Sequence, residues 1–487
     1  MSGLGLAMFA VAIVLMIATG LPVYAVLLGV ASVFAALGVA LGAFDWHLLA
    51  AVPSRLVGLL EHDLLQALPL YALIGALLNR LPLAGLMHAA GERLFSRSPA
   101  SAQLSALGVG ALLAPMNGSV GASLHMLARR VAPALAARGV APAEATATVC
   151  VASTLGIVIP PSLVLLLLGD AMMRAHTEAA NVTHAAVRIV NTQDVMRAAL
   201  LPGVAVLVAA LAIAAWRSRG RARTVIAPLG RAAVAQAAGA AIVIVVLLGA
   251  VAVGRVYAVE AAATGGLLLL GWGVITRRLD RSLLGAVLGD AMTLTGLLMA
   301  LLVGATSFSL VLRGFGTDAL VANGLHTLDA HPLAMLGAVL AGMVACSFVL
   351  DAFEMIFLVV PLVMPPLLAV VPDAAWVATL TLLVLQMGFL LPPLGYAVVM
   401  SRLAFREPPP LAALTRALAP QLVAQALLIA ALLAWPGLTH WGANEAANDS
   451  TPALSNEQAE RLMDDAFRSQ SRDPAPEAPA ASASDRP

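Results

Sequence analysis

Long uninterrupted apolar runs, not alternating ones, dominate the chain. A helix needs roughly 20 mostly apolar residues to cross the hydrocarbon core of a bilayer. Residues 3–19, 22–42, 63–79, 197–216, 232–253, 256–275, 285–312, 333–350 and 410–435 read as such spans. Three further stretches, 103–130, 143–175 and 352–401, are as apolar but are interrupted by Gly, Pro, Asn, Ser and Asp. Each interruption leaves backbone groups unpaired, and lipid cannot satisfy them. Such breaks make sense only buried in protein or lining a cavity. The pattern predicts roughly 11–14 membrane segments, some of them broken or re-entrant. The stretch His176–Asp194 is too polar to span and reads as an insertion. Met1–Ala18 lacks the basic stretch of a signal peptide and is expected to stay as the first membrane segment. From about Ala443 the chain turns polar, which predicts a disordered tail with a short helix near Asn456–Arg468.

The broken stretches repeat. Thr154-Leu-Gly-Ile-Val-Ile-Pro-Pro-Ser162 returns as Gln386-Met-Gly-Phe-Leu-Leu-Pro-Pro-Leu394, an offset of 232 residues. Gly156, Pro160 and Pro161 fall on Gly388, Pro392 and Pro393, Pro133 falls on Pro365, and Ser119 falls on Asp351. At an offset of 233, Leu77, Leu78 and Arg80 fall on Leu310, Val311 and Arg313. A duplicated membrane unit with matching broken helices is a common plan of secondary transporters, in which half-helix ends meet near the midplane around substrate or ions. The doubled prolines remove amide donors and free upstream carbonyl oxygens as cation ligands. The plainer alternative is that they only kink packed helices.

Composition agrees. Of 487 residues, 61% are hydrophobic and only 11% charged, far from the quarter or so of a soluble domain. Mean hydropathy is +0.94. The net charge of +1 gives no sign of nucleic-acid binding. Every basic residue is arginine, which reads as a compositional bias. Cys150 and Cys346 lie in apolar stretches and suggest neither a disulfide framework nor a metal site. Arg217, Arg219, Arg221 and Arg223 form one basic loop, and Arg277, Arg278 and Arg281 another two spans later, which puts both on the cytoplasmic side.

Two constellations carry candidate chemistry. Asn117-Gly-Ser-Val-Gly-Ala-Ser123 follows Pro115 and supplies small residues with amide and hydroxyl oxygens, as a hairpin tip close to a ligand would. Close packing between helices is the alternative use of such residues. In the second half, Asp351 and Glu354 lie between strongly apolar runs, where a carboxylate is expensive unless paired or solvated. Asp351 suits a sodium ligand or proton carrier, and Glu354, three residues on, shares its helical face; a position at the membrane interface is the other reading. Leu168-Gly-Asp-Ala-Met172 and Leu288-Gly-Asp-Ala-Met292 faintly suggest an intramembrane aspartyl protease, but neither has the Gly-x-Gly-Asp form. There is no His-Glu-x-x-His, phosphate-binding glycine loop or serine elbow. The chain therefore reads as a transporter driven by an ion gradient or by a separate ATPase, not as an enzyme.

At these residues the sequence resembles the large membrane subunit of TRAP transporters, the tripartite ATP-independent periplasmic systems. The resemblance runs through Thr154–Ser162 with Leu168-Gly-Asp170, Asp351-Ala-Phe-Glu354, and Leu385-Gln-Met-Gly-Phe-Leu-Leu-Pro-Pro-Leu-Gly-Tyr-Ala397, and covers about residues 1–437. The Asp-x-Phe-Glu and Leu-Gln-x-x-Phe-Leu-x-Pro-Pro forms are most like the branch labelled for mannitol and chloroaromatic compounds. It implies an all-α polytopic fold of two inverted repeats, with re-entrant hairpins and broken helices, working as an elevator. It also implies sodium as coupling ion, with a proton the other possibility, and no covalent cofactor. The implied ion and substrate positions are Asn117, Gly118, Ser119, Ser123, Thr154, Gly156, Pro160, Pro161 and Ser162, then Asp351, Glu354, Gln386, Gly388, Pro392 and Pro393. Ser119, Thr154 and Asp351 are the candidates for direct sodium ligands. The implied partners are a small four-helix membrane subunit, a periplasmic solute-binding protein and the organic acid that it delivers. Membrane lipid surrounds the whole. The sequence departs from the family where Leu391 stands for a threonine before Pro-Pro, where Val384 stands for an asparagine, and in the lone serine at Gly118-Ser119.

The expected organisation is N-terminal scaffold helices over 1–62, repeat 1 with the first hairpin and polar insertion over 63–196, and further scaffold over 197–284. Repeat 2 with the second hairpin occupies 285–409, a C-terminal membrane helix 410–442, and the tail 443–487. A one-component ion-coupled carrier is the rival in the same class. An intramembrane enzyme or a membrane scaffold protein are the rivals outside it.

Overall fold

The computed structural model describes residues 2–60, 63–183, 190–221, 229–252, 254–326, 331–405 and 407–440. Arg223, the expected tail and its short helix lie outside the described residues. Among the described residues every regular element is helical. The first part of the chain forms α1 (Ser2–Thr19), α2 (Val23–Ala40), α3 (His47–Leu60), α4 (Asp63–Arg80) and α5 (Leu83–Leu94). Then come α6 (Ser101–Leu113), α7 (Val120–Arg130), α8 (Ala132–Ala137), α9 (Pro142–Val158) and α10 (Leu163–Thr183). The middle of the chain holds α11 (Thr192–Arg217), α12 (Arg231–Ala252), α13 (Ala258–Ile275) and α14 (Arg281–Gly314). After α15 (Thr317–His326) and α16 (Pro332–Cys346), a short α17 (Ala352–Glu354) runs through a π turn into α18 (Val360–Val370). The last are α19 (Ala374–Leu390), α20 (Tyr396–Ala404) and α21 (Leu411–Ala434).

Local chemistry places the helix starts. Pro142 and Pro332 stand in the first turns of α9 and α16, where a missing amide costs nothing. Asn191 and Asp194 cap α11 reciprocally, Asp280 caps α14 and Asp373 caps α19. Eight helices are long and apolar enough to cross a membrane among the described residues, or nine if α4 and α5, bent by 66°, count as one broken span. The remaining apolar helices are too short. α6, with 13 residues, is about 20 Å long at 1.5 Å per residue and reaches only partway across a core of about 30 Å.

The core is built from the broken elements. An 18-residue apolar window within Pro142–Thr183 is 94% buried inside the protein, whereas the one within Arg231–Ala252 is 22% buried and turns most of its surface outward. α6 and α7 form the first hairpin and pack on α9; α16 and α17–α18 form the second, whose first arm packs on α19. α9 and α19 cross in the middle, α10 lies against α18, and α20 lies against α7. Each broken helix thus closes over the hairpin of the other repeat. Around this unit stand α2, α4 and α14 on one flank and α11 and α21 on another.

Several expectations change. The run 333–350 is not a span: α16 stops at Cys346, and Ser347 to Asp351 turn the chain back as the tip of the second hairpin. Apolar residues on both sides of the turn disguise it in a hydropathy reading. His176–Thr183 is not a separate insertion but the last two turns of α10, and the polar residues mark its emergence from the protein. The domain limits at 196/197 and 284/285 fall inside α11 and α14, because both helices begin at polar caps several residues earlier. α3 and α5 were hidden by mixed polar and apolar composition.

Ion pairs tie the scaffold to the core. Glu144, in the first turn of α9, pairs at 3.4 Å with Arg217, the last residue of α11, and with Arg221 in the loop beyond it. Arg80 of α4 holds Asp290 of α14 with a forked contact of 2.6 and 2.9 Å. Asp170 pairs with Arg174 one turn along α10 at 2.6 Å. Both aspartates of the repeated Leu-Gly-Asp-Ala-Met segment therefore serve arginines.

The repeated glycines make the helix crossings close. A Cβ at Gly156 would lie 2.6 Å from the Ala114 carbonyl oxygen, and one at Gly388 would meet the Ser347 hydroxyl. These are matching positions, the end of each hairpin's first arm resting on a flat spot of the broken helix. A Gly156→Val protein should lose about 1–3 kcal/mol through overpacking. Gly108→Ala, facing open space in the same hairpin, should be neutral or slightly stabilising. Thermal unfolding of the two detergent-solubilised variants beside wild type checks both.

Candidate functional site

Hairpin tip one is a short turn, Pro115–Asn117, followed by Gly118 at a φ of +73° and by Ser119, whose hydroxyl caps α7 by accepting the Ala122 amide at 3.1 Å. The left-handed backbone at Gly118 suits glycine alone among common residues. Asn117 is fully buried: its Nδ2 reaches Met126 Sδ at 3.9 Å, while its Oδ1 has no hydrogen-bond partner. Ser123, one turn into α7, donates to the Ser119 carbonyl at 2.9 Å.

Hairpin tip two repeats the device with a stronger cap. Asp351 Oδ1 accepts the Phe353 amide at 2.9 Å and the Glu354 amide at 3.1 Å. Glu354 folds back so that its Oε2 accepts the Asp351 amide at 2.9 Å, which completes a capping box. Glu354 therefore shares the Asp351 site as a cap partner, and its carboxylate is turned toward the tip's own backbone. Ser119 and Asp351, 232 residues apart, do the same job at the two tips.

The tips meet. Ser119, Val120 and Val164 of the first repeat line one small pocket together with Asp351, Ala352 and Tyr396 of the second. Under the 232-residue offset these are three matched pairs, Ser119 with Asp351, Val120 with Ala352 and Val164 with Tyr396. The pocket therefore sits where the two repeats are related to each other. Ser119 also lines a second small pocket with Gly118, Ser153 and Gly156.

Behind the tips the broken helices touch at equivalent residues. Gln386 Nε2 donates to Thr154 Oγ1 at 3.4 Å, and Thr154 and Gln386 occupy the same place in the two repeats. Thr154 passes its own hydrogen to the Val151 carbonyl at 3.0 Å. Gln386 Oε1 in turn accepts from Gln425 of α21 at 2.7 Å, and Gln425 also donates to the Leu383 carbonyl. All three side chains are essentially fully buried. Neutral amide and hydroxyl groups can share such a chain without the desolvation cost of a charge.

The proline breaks differ between repeats. Both Pro160–Pro161 and Pro392–Pro393 are cis. After the first, Ser162 accepts the Leu165 amide at 3.2 Å and caps α10. After the second, the carbonyl oxygens of Gly388, Phe389 and Leu391 converge so closely that a Cβ at Gly395 would lie 2.6–2.8 Å from all three. The three oxygens form a cradle of partial negative charge around Gly395, in which Leu391 accepts the Gly395 amide at 2.8 Å and Gly388 accepts the Leu391 amide at 3.2 Å.

Sequence reasoning thus named most of the tips and breaks but missed Tyr396, Gly395 and Gln425. Tyr396 was visible as a hydroxyl-bearing residue just past the second Pro-Pro, and Gln425 as a polar residue inside the apolar run 410–435. Nothing in the sequence tells that either faces the site.

Comparison with known proteins settles the family. Residues 10–438 match the family described as tripartite ATP-independent periplasmic transporter, DctM component. The chain belongs to that family. It is accordingly a multi-pass inner-membrane permease component and not an enzyme. A relative with the same character is the sialic acid TRAP transporter large permease protein SiaM of Vibrio cholerae, 25% identical over 197 residues. That match spans 40% of this chain and 45% of SiaM, under half the length of the relative. Among solved structures, the YdaH transporter of Alcanivorax borkumensis superposes with a TM-score of 0.58 at 16% identity. The overlap covers 80% of this chain and 88% of YdaH, a likeness of fold. The side chains of Ser119 and Asp351 cap the helices that follow the two tips. Asp351→Ala should destabilise the second hairpin by about 0.5–2 kcal/mol, while Asp351→Asn keeps the cap and the fold. Thermal unfolding of the two variants, side by side, distinguishes cap loss from charge loss.

Proposed function

We propose that this DctM component imports an organic acid coupled to sodium. The acid is handed over by a periplasmic solute-binding protein, and the chain works with a small four-helix membrane subunit. The observation that carries this reading is the meeting of the two hairpin tips at one pocket, beside two sets of oxygen atoms. One set centres on the orphan Asn117 Oδ1, two residues before the capping hydroxyl of Ser119 at the first tip. The other is the carbonyl cradle at Gly395, behind Asp351. Neutral oxygens with one carboxylate favour sodium over a divalent ion, whose higher charge calls for more carboxylates. Leu391 stands where relatives carry a threonine, so this site lacks that hydroxyl, and the Leu391 backbone oxygen accepts the Gly395 amide at 2.8 Å.

The name of the matched relative, a sialic acid transporter, supports an acid as cargo. An elevator movement is supported by the partition of the fold. The hairpins and broken helices form one mutually buried unit, while α12 and α13 stay largely outward-facing. Substrate and sodium would be held between the tips, and the unit would slide against the surrounding helices, carrying both across. The decoy aspartates Asp170 and Asp290, each bound to an arginine, give no support to an intramembrane protease.

Uptake into proteoliposomes holding this chain and its small subunit tests the reading. An inward sodium gradient should drive accumulation of one carboxylate from a mixed pool only when the binding protein is added. Asp351→Asn should reduce that accumulation at least tenfold while leaving assembly intact. Gly395→Ala, which fills the cradle, should raise the sodium concentration needed. Uptake indifferent to the binding protein would establish a one-component carrier instead, and uptake driven by a proton gradient alone would overturn sodium.

A further inference from the structure

A second cavity, of about 370 Å³, lies away from the tips between α10, α14 and α18, with Arg55 of α3 at its edge. It begins beside Leu167 and Ile356, within a few residues of the first Pro-Pro break and the second hairpin tip, and ends at Glu178 and Pro365. α10 runs from its break at Leu163 outward to Thr183, and α11 returns from Thr192 to the arginine-rich loop at Arg217. The cavity mouth is therefore on the side opposite that loop. With the arginines on the cytoplasmic side, it opens to the periplasm.

Its lining is unusual for a crevice inside a membrane protein. Three arginines, Arg55, Arg174 and Arg313, face two carboxylates, Asp170 and Glu178, leaving an excess of positive charge. Arg313 presents both terminal nitrogens to Glu178, at 3.1 and 3.3 Å, in the forked arrangement that guanidinium makes with any carboxylate. The Glu178 side chain is 44% exposed, so solvent competes with this bond and the acid can swing away. Thr306 and Ser309 add hydroxyls on the α14 wall, and Leu302, Ile356 and Phe357 give an apolar face. A cavity of this size falls within the usual range for small-molecule sites, in which a few polar groups orient a mostly apolar body.

We propose that this cavity is an entry vestibule that binds the carboxylate of the cargo on Arg313, with Glu178 as the internal acid that the cargo displaces. It deepens the import reading and rests on it for the identity of the ligand, while binding itself is testable without transport. The cargo class is an organic acid with an apolar body, because the same lining offers a fork for the carboxylate and, in Leu302, Ile356 and Phe357, hydrocarbon and an aromatic ring. From here the acid has only to pass Leu167 and Ile356 to reach the tips. The Arg80–Asp290 pair, at the position matching Arg313 in the first repeat, lines no part of this cavity.

The test uses the full chain carrying Ser309→Cys, placed in phosphatidylcholine nanodiscs. Labelling of position 309 by a maleimide is read by peptide mass spectrometry, which separates it from Cys150 and Cys346. Benzoate should slow the labelling, and its neutral isostere benzamide should not. Adding Arg313→Gln should weaken protection by about tenfold or more, as expected for loss of a charge-assisted fork. Glu178→Gln, an exposed change that leaves folding alone, should protect at lower benzoate because the competing acid is gone; a merely structural ion pair would give no such gain. Arg313→Lys, which keeps the charge and loses the fork, should fall between. Equal protection by benzoate and benzamide would overturn the proposal, as would protection by phosphatidylglycerol nanodiscs without benzoate, which marks a lipid headgroup site. Sodium-driven uptake measured on the same variants separates the two readings. Normal carboxylate uptake by Arg313→Gln, at unchanged KM, removes the vestibule from the path while import stands. Benzoate protection without any carboxylate uptake keeps the anion site and removes import.

Discussion

A backbone break inside a bilayer has to find its hydrogen bonds within the protein, and this requirement organises the whole molecule. Among the described residues, the core formed by the two repeats holds four such breaks: the two hairpin tips and the two Pro-Pro interruptions. Lipid would leave each with bare amides and carbonyls at several kcal/mol apiece. The fold answers by burying all four against one another. Side-chain oxygens of Ser119, Asp351 and Ser162 take up the loose amides. The carbonyls of Gly388, Phe389 and Leu391 gather around Gly395, whose own amide donates to Leu391. A structural necessity thus produces a set of converging oxygens, which is also what an ion needs.

Duplication explains why the site has two halves, and divergence explains why they are not alike. Thr154 meets Gln386, Gly156 and Gly388 both receive a hairpin arm, and Ser119 and Asp351 cap matching helices. Yet the first repeat has Asn117 where the second has Val349, and Leu163 where the second has Gly395. The orphan amide oxygen belongs to one half and the carbonyl cradle to the other. Symmetry sets the place where the halves meet, and single substitutions set what each can hold. The charged residues follow a different logic: they sit toward the ends of helices, where Glu144, Asp290 and Glu178 each find an arginine from another element.

Much of this was legible in the sequence because membrane physics is severe. Only long apolar runs can span, so the helices from α9 to α14 and the broken stretches around them stood out. The duplicated Gly-x-x-x-Pro-Pro gave the repeat and its register, and Asp351 stood out as an acid in an apolar setting. The run 333–350 misled because a hairpin turn built from Ser347 to Asp351 and flanked by apolar residues has the hydropathy of a span. α3 and α5 escaped because amphipathic helices lying against the bundle lack a continuous apolar run.

The sequence by itself determined that the chain lives in a membrane, that it is built twice, and where its helices break. Those properties follow from local composition and spacing, which act on each segment alone. Only the tertiary structure decided what the breaks face. It brought Thr154 to Gln386 across 232 residues, set Tyr396 beside the tips and Gln425 against Gln386, turned Glu354 back to cap its own hairpin, and opened a cavity between α10 and α14. Contacts between distant segments depend on how helices cross, and crossing is governed by side-chain packing over whole surfaces, a quantity that no single stretch of sequence contains.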